Sequence, residues 1–269
     1  MEYREYAPPA ELAPFVRCFW TLAGTPHSDS PERILPDGRT ELVIQLGEAF
    51  DRVDSPGRRE RQPRALFVGQ LDRRVLLQPT GLVSTFGICF HPDGASAFAP
   101  WTQQETAGRI LALDEVYGGE ARRLEDAVRN AADHGARVGI ATGFLRGRMR
   151  AARIDRRVRA AVQSIQREPW RRMASIAEDA GCTTRHLERA FLERVGCTPK
   201  TLACITRFQR VLALRDARPA WSWARVAVEA GYFDQAHLIG DFRRFSGSTP
   251  ALLAEDFTEM ERLFVRTRR

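Results

Sequence analysis

The C-terminal half of the chain contains the same helix-turn-helix signal twice, and this repeat restricts the fold more than any other feature of the sequence. The first copy covers about residues 173–194 and the second about 224–245. Gly181 and Gly231 can each supply the left-handed turn that ends a first helix, and they lie 50 residues apart. The other matched positions lie 51 residues apart, so the second turn is one residue longer: Leu187 with Leu238, Phe191 with Phe242, Gly196 with Gly247, and Pro199 with Pro250. Such a period predicts two similar structural units.

The second helix of the first copy has an apolar and a polar face. Leu187 and Phe191 are four residues apart and would pin the helix to the core, and Thr183 is a suitable N-cap. In a helix-turn-helix this helix enters the DNA major groove, where arginine pairs with guanine and glutamate accepts a hydrogen bond from cytosine. The candidate DNA contacts of this copy are Arg185, His186, Glu188 and Arg189.

The second copy repeats the pattern with other polar residues. Asp234 is its expected N-cap, and glutamine can pair with adenine. An amphipathic helix over 201–214 would connect the copies and fix their separation, with Arg207 and Arg210 contacting solvent or phosphate. The candidate DNA contacts of this copy are Gln235, His237, Arg243 and Arg244.

The excess of positive charge lies in the half of the chain that contains the repeat. Residues 151–269 have 22 Lys+Arg against 14 Asp+Glu, whereas residues 1–150 have 19 against 20. This asymmetry is typical of a chain whose C-terminal half binds a polyanion, so we expect double-stranded DNA as the partner. The alternative to sequence-specific binding is a protein that coats DNA without preferring a sequence.

The repeat resembles the DNA-binding domain of the AraC/XylS family of bacterial transcription regulators. The matching segments are IAEDAG, RHLERAF and the final TP in the first copy, and VAVEAGYFDQAHL and FSGSTP in the second. The resemblance implies a transcription regulator with a seven-helix DNA-binding domain over about 153–258. Its two recognition helices would enter successive major grooves about 34 Å apart. RNA polymerase would be a further partner if the protein is an activator.

Gly240 departs from the family pattern, which usually has a polar or basic residue at this position. Together with Ile239 it removes an expected contact to a base or a phosphate. We therefore predict that the second unit contacts fewer bases and contributes more through Arg243, Arg244 and indirect readout. The first unit would be the principal reader of sequence.

The N-terminal half has the pattern of a β-rich domain followed by helices. A turn is expected at Pro36-Asp37-Gly38, the polar segment 51–64 is interpreted as a surface loop, and helical spacing begins near residue 113. The fold class is therefore α+β: a β-rich domain over 1–112, a helical connector over 113–152 with a hinge within 148–155, and the all-α DNA-binding domain. Runs that predict strands are 41–46, 65–69, 74–78 and 82–90.

Two segments of this half, RILPDGRTELVIQLG and FGICFHPDGASAF, resemble a distinct variety of N-terminal domain found in the AraC/XylS family. The resemblance implies a cupin-like barrel that binds a small-molecule effector or forms a homodimer. It does not indicate which ligand is bound.

Two other functions stay open for the N-terminal half. A cupin-like enzyme would need a histidine-rich metal site, but the β region has only His27 and His91 and no H-x-H pair. We therefore expect no metal, no cofactor and no enzyme activity. A thiol or alkylation sensor would use Cys18 or Cys89, although buried cysteines usually behave as small hydrophobic residues.

Neither membrane nor export signals occur in the sequence. No stretch approaches the roughly 18 apolar residues that a spanning helix needs, and the first segment, MEYREYAPPAEL, lacks the apolar core of a signal peptide. The five cysteines have no C-x-x-C spacing, which fits reduced thiols. We expect a cytoplasmic protein without a membrane partner.

Overall fold

The protein consists of a β-rich N-terminal half and a helical C-terminal half. A computed structural model describes residues 1–26, 30–55, 57–149, 154–255, 257–258 and 261–263. The predicted α+β class is confirmed, because antiparallel sheets precede an all-α domain with two helix-turn-helix units. The cupin-like character of the β-rich half stays a prediction.

The strands of the described residues form two antiparallel sheets. They are β1 (Glu2–Tyr6), β2 (Val16–Gly24), β3 (Glu32–Ile34), β4 (Glu41–Gln45), β5 (Asp51–Ser55), β6 (Arg58–Arg61), β7 (Ala65–Val68), β8 (Val75–Gln78), β9 (Val83–Phe90) and β10 (Ile110–Ala112). The larger sheet has the order β1-β2-β9-β4-β7-β10, and the smaller has the order β3-β8-β5-β6.

Strands β2 and β9 pair at the centre of the N-terminal half. Trp20 lies opposite Gly87, and a Cβ atom at position 87 would be 2.1 Å from Cε2 of the indole. Only glycine therefore leaves room for this ring. The pairing shifts register between Val16 and Cys18, so Arg17 forms a β-bulge.

The segment 51–64, interpreted above as a surface loop, contains the hairpin of β5 and β6. Asp51 pairs with Arg61 and Arg52 with Glu60, and each arginine donates a hydrogen bond to the facing carboxylate, at 2.6 Å and 3.2 Å. Opposite charges on facing strands contribute roughly 0.2–1 kcal/mol per pair. The loop interpretation is wrong because it took high polarity as evidence against a strand.

Helices cover the outer face of the larger sheet. After a short 3-10 turn at Ala95–Ala97 come α1 (Gln103–Thr106), α2 (Leu113–Tyr117), α3 (Gly119–Arg129) and α4 (His134–Arg148). Leu124 of α3 and Leu145 of α4 share one core with Phe19 and Phe86 of the sheet. The helices after residue 112 are thus packed on the β-rich half, while residues 150–153 of the hinge expected within 148–155 lie outside the described residues.

Seven helices occupy residues 154–255, all of which the structure describes. They are α5 (Arg156–Arg167), α6 (Met173–Asp179), α7 (Thr184–Arg194), α8 (Pro199–Ala217), α9 (Trp223–Glu229), α10 (Gln235–Ser246) and α11 (Pro250–Glu255). Helices α6 and α7 form the first helix-turn-helix unit, and α9 and α10 form the second. Of the helices described, none is both long and apolar enough to traverse a bilayer.

Helix α8 belongs to the hydrophobic cores of both units. Its Leu202 packs in the core of the first unit with Leu187, and its Phe208 packs in the core of the second unit with Leu238. A single helix of 19 residues therefore fixes the separation of the two recognition helices, α7 and α10.

Candidate nucleic-acid interface

The face of α7 opposite the core is centred on two arginines. The helix buries Leu187, Ala190 and Phe191. Successive residues of an α-helix are rotated by about 100°, so the opposite side is occupied by Arg185 and Arg189, which are both exposed. These two guanidinium groups, one turn apart, can each pair with a guanine or a phosphate in the major groove.

The other candidates of the first unit flank this face. Glu188 is exposed, and His186 is half-buried. The Nδ1 atom of His186 lies 3.4 Å from Nη2 of Arg189, which places the imidazole where it can orient the guanidinium. The backbone N–H of His186 donates to Oγ1 of Thr183 at 3.2 Å, so Thr183 caps the helix as the sequence predicts.

Helix α10 has no long polar side chain at the centre of its open face. It buries Leu238 and Phe242, and the side opposite them is occupied by Ala236 and Gly240, which are exposed. A Cβ atom added at Gly240 would meet no described atom within 4 Å. The position is therefore open, and a longer side chain would fit there.

The polar candidates of α10 lie at its two ends. Gln235 and His237 are exposed at the start of the helix, and Arg243 and Arg244 are exposed in its last turn. Asp234 accepts a hydrogen bond from the backbone N–H of His237 at 2.7 Å, which confirms the predicted N-cap.

The offset of 51 residues makes the two recognition helices directly comparable. The corresponding positions are Arg185 with Ala236, Arg189 with Gly240, Leu192 with Arg243, and Glu193 with Arg244. The N-terminal part of a recognition helix usually contacts the base edges, and the arginines of α7 lie in the N-terminal and middle part of that helix. Helix α10 has its arginines one turn later.

A buried polar network ties α10 to α8. The Tyr232 hydroxyl donates to Oδ2 of Asp241 at 3.0 Å, and Nη2 of Arg207 lies 3.7 Å from the same oxygen. Burial and the Asp241 carboxylate raise the pKa of Tyr232 above its ordinary value. The expectation that Arg207 contacts solvent or phosphate is therefore wrong. Its guanidinium also donates to the Pro169 carbonyl at 3.1 Å, inside the domain.

Phe233 is a surface residue that was not predicted as a DNA contact from the repeat pattern. Its side chain is 94% exposed, and it precedes the N-cap of α10. An apolar group at this end of a recognition helix can contact the methyl group of thymine. The signal available in the sequence was the extra residue of the second turn, which lies between Gly231 and Leu238.

The β-rich half contacts the C-terminal ends of both recognition helices. Arg74, which precedes β8, donates from Nη1 to the Ser246 carbonyl at 2.7 Å. Gly247 has a φ of +68°, and a Cβ atom there would lie 2.7 Å from Cζ of Arg74. At the end of α7, a Cβ atom on Gly196 would lie 2.9 Å from the Gln103 carbonyl oxygen.

Further polar contacts join the two halves of the chain. Arg159 of α5 donates to Asp93 at 2.7 Å, and Gln209 of α8 donates to the Pro36 carbonyl at 2.6 Å. The turn predicted at Pro36-Asp37-Gly38 thus lies against the helix that connects the two units. The DNA-binding domain is held on the β-rich half at several separate points.

An apolar cavity of about 80 Å³ lies between the two sheets. Trp20, Val43 and Leu66 line it from the larger sheet, and Leu77 lines it from the smaller sheet. The polar wall includes Thr85, whose hydroxyl is buried and has no hydrogen-bond partner among the described residues. Such an atom indicates room for a polar group of a ligand or a water molecule.

Two family models match separate parts of the chain. Residues 176–255 match a helix-turn-helix domain, and residues 4–112 match a domain of unknown function, DUF6597. The first match covers both recognition helices. No curated protein matches the chain.

Solved structures with a similar fold include ToxT from Vibrio cholerae. The ToxT structure in the P21 crystal form has 10% sequence identity to this chain and a TM-score of 0.50. The match covers 87% of this chain and 97% of that chain. A second structure, of ToxT from strain O395, is 11% identical with a TM-score of 0.48, and covers 90% and 98% of the two chains.

The fold and the matched helix-turn-helix domain define a DNA-binding transcription regulator. Its C-terminal domain is of the AraC type, which confirms the resemblance found in the repeat, and it follows an N-terminal DUF6597 domain.

Proposed function

We propose that the protein binds specific DNA sequences and that the first unit supplies most of the selectivity. The observation that supports this is the pair of exposed arginines, Arg185 and Arg189, at the centre of the open face of α7. Phosphate contacts from arginines such as Arg243 and Arg244 would add affinity that falls steeply with salt. Glu188 and Gln235 would contribute further base contacts.

Binding of the purified chain to fragmented genomic DNA tests this proposal. A sequence-specific regulator enriches a small set of fragments that share a motif, and the enrichment persists when salt weakens bulk binding. Uniform recovery of fragments at every salt concentration would instead identify a protein that coats DNA.

The cavity between the sheets is our candidate for the effector site. Its walls are mostly apolar, and the Thr85 hydroxyl, which has no partner among the described residues, is one of the few polar groups that line it. These features favour a small apolar molecule with a single hydrogen-bonding group, since a few polar groups in an apolar pocket are enough to fix the orientation of a ligand.

The isosteric variant Thr85→Val tests the effector site. Small phenols and short-chain alcohols would be screened by their effect on the melting temperature, because a ligand that binds only the folded state raises it. We expect an active compound to stabilise the wild type and to stabilise Thr85→Val less. Equal stabilisation of both proteins would place the ligand elsewhere.

The segment 69–74 supports a route from this cavity to the DNA-binding domain. Leu71 lines the cavity, Gln70 lies against Gly196 at the end of α7, and Arg74 holds the end of α10. A ligand that moves Leu71 would shift both contacts, and so the relative placement of the two recognition helices.

Homodimer formation, contact with RNA polymerase, the cytoplasmic location and the lack of enzyme activity stay predictions.

A further inference from the structure

Cys18 and Cys89 face each other on adjacent strands. They are paired in the register of β2 and β9, and both side chains are buried. Opposed residues of an antiparallel pair have Cα atoms about 4.5–5.5 Å apart, within the range of about 4.4–6.8 Å that disulfides occupy. The sequence, which places them 71 residues apart, gives no sign of this pairing.

The bulge at Arg17 brings a positive charge to this pair. A bulge turns the extra residue out of the normal alternation of side chains, and here Nη1 of Arg17 donates to Sγ of Cys18 at 3.3 Å. The same nitrogen is 2.7 Å from Oε1 of Glu5 on the edge strand β1. Both side chains of this ion pair are partly exposed, at 17% for Arg17 and 29% for Glu5.

The local environment favours the thiolate of Cys18. A hydrogen bond from the Cys89 thiol, together with a smaller effect of the Arg17 guanidinium, lowers the pKa of the Cys18 thiol, against the opposing effects of burial and Glu5. By contrast, burial raises the pKa of Cys197 to about 12, and burial also raises the pKa of Cys204. Since the thiolate is the reactive form, Cys18 differs from these two buried thiols.

We propose that Cys18 and Cys89 form a reversible disulfide when the protein meets a hydroperoxide. The Cys18 thiolate attacks the peroxide, the O–O bond breaks, and Cys18 becomes a sulfenic acid while the leaving oxygen takes up a proton. The Cys89 sulfur then attacks the Cys18 sulfur. The S–S bond forms, the S–O bond breaks, and a water molecule leaves with the Cys89 proton. One peroxide is reduced and two thiols are oxidised.

The disulfide would form beside contacts that hold the DNA-binding domain. Four residues beyond Cys89 in the chain, Asp93 accepts the hydrogen bond from Arg159 of α5. The Cβ atoms of a disulfide are about 3.8 Å apart, whereas opposed side chains usually have Cβ atoms about 4.5–5.5 Å apart. Oxidation therefore draws β2 and β9 together next to this interdomain contact.

Mass spectrometry of the full chain tests the proposal independently of DNA binding. The protein carries Cys182→Ser, which removes a partly exposed thiol, and is treated with stoichiometric hydrogen peroxide before alkylation under denaturing conditions. We expect the loss of two alkylatable thiols, a peptide linking Cys18 to Cys89, and full recovery of both thiols with dithiothreitol.

Single replacements identify the order of the steps. With Cys89→Ser, Cys18 is expected to accumulate as a sulfenic acid that dimedone traps. With Cys18→Ser, Cys89 is expected to stay reduced at the same peroxide dose. Cys197→Ser is the matched buried control and leaves the cross-link unchanged. Retention of all thiols in the parent protein, or a cross-link between other cysteines, would overturn the proposal.

Discussion

Arg185 and Arg189 occupy the positions in the first unit that Ala236 and Gly240 occupy in the second. The two recognition helices otherwise match, with capped N-termini and an equivalent buried leucine and phenylalanine. At one buried position it is the second unit that has the polar residue, since its Asp241 corresponds to Ala190 of the first unit. The first unit thus has two arginines at the centre of the open face of α7, and the second has a buried polar network instead.

A helix-turn-helix unit has two requirements, contact with bases and a fixed position in the domain, and the two units differ in which one their polar residues meet. Hydrogen bonds to bases need polar or charged side chains on the open face, whereas a fixed position relative to α8 needs satisfied polar groups in the interior. The second unit meets the second requirement through Tyr232, Asp241 and Arg207. Its main contribution would be placement on the DNA backbone.

The double substitution Arg185→Ala with Arg189→Ala is expected to have the largest effect. Each bidentate base contact contributes about 1–3 kcal/mol of discrimination, so affinity for a specific site should fall by the sum of two such contacts. Fluorescence anisotropy with a labelled site measures this. Arg123→Ala, an exposed arginine on α3, controls for loss of charge. Specific binding that survives the double substitution would mean that α7 is not the main reader.

Asp241→Ala should mainly destabilise the second unit. Removing one member of a buried charged pair costs about 3 kcal/mol, because the partner is left buried without compensation. We expect a lower midpoint of thermal unfolding. Glu229→Ala, an exposed carboxylate at the end of α9, should leave the midpoint nearly unchanged. Similar midpoints for both variants would mean that the buried network does not stabilise the second unit.

Arg74→Ala should loosen the end of α10 without affecting α7 directly. A hydrogen bond from a charged donor contributes about 1.5 kcal/mol or more. Amide hydrogen exchange is expected to accelerate in the last turn of α10 and not in α7. Arg73→Ala is the matched control, since its side chain is 76% exposed. Unchanged exchange in α10 would show that Arg74 does not hold this helix.

Gly240→Arg should give the second unit the arginine that the first unit has at Arg189, with the smallest effect of the series. The open space at this position accommodates the side chain, and one added base or phosphate contact contributes about 1 kcal/mol. Gly240→Ala controls for the gain in helix propensity, also about 1 kcal/mol. Identical affinity and sequence preference in both variants would mean that the other side of α10 faces DNA.

The repeat could be predicted because local signals and periodicity agree there. Glycines, N-caps and apolar residues at helical spacing define each unit without reference to distant parts of the chain. They placed Thr183 and Asp234 as caps, and both accept the expected hydrogen bonds. The open faces of α7 and α10 followed from the same spacing.

What the sequence did not reveal depends on contacts between distant segments. In the sequence, Arg207 cannot be distinguished from a surface arginine of an amphipathic helix, because only the fold places Asp241 beside it. The hairpin of β5 and β6 is stabilised by opposite charges on facing strands. Its sequence lacks the alternation of apolar and polar residues by which a strand is usually predicted. Arg74 and Ser246 are 172 residues apart, and no local pattern indicates that they meet.

In vitro selection from random duplex DNA tests the central comparison most directly. We expect a motif of two parts about one helical turn apart. One part has strong base preferences that weaken in the Arg185→Ala and Arg189→Ala variants, and the other has weak preferences that strengthen in Gly240→Arg. Two parts with equal base preference, or no enriched motif, would contradict the assignment of the first unit as the principal reader.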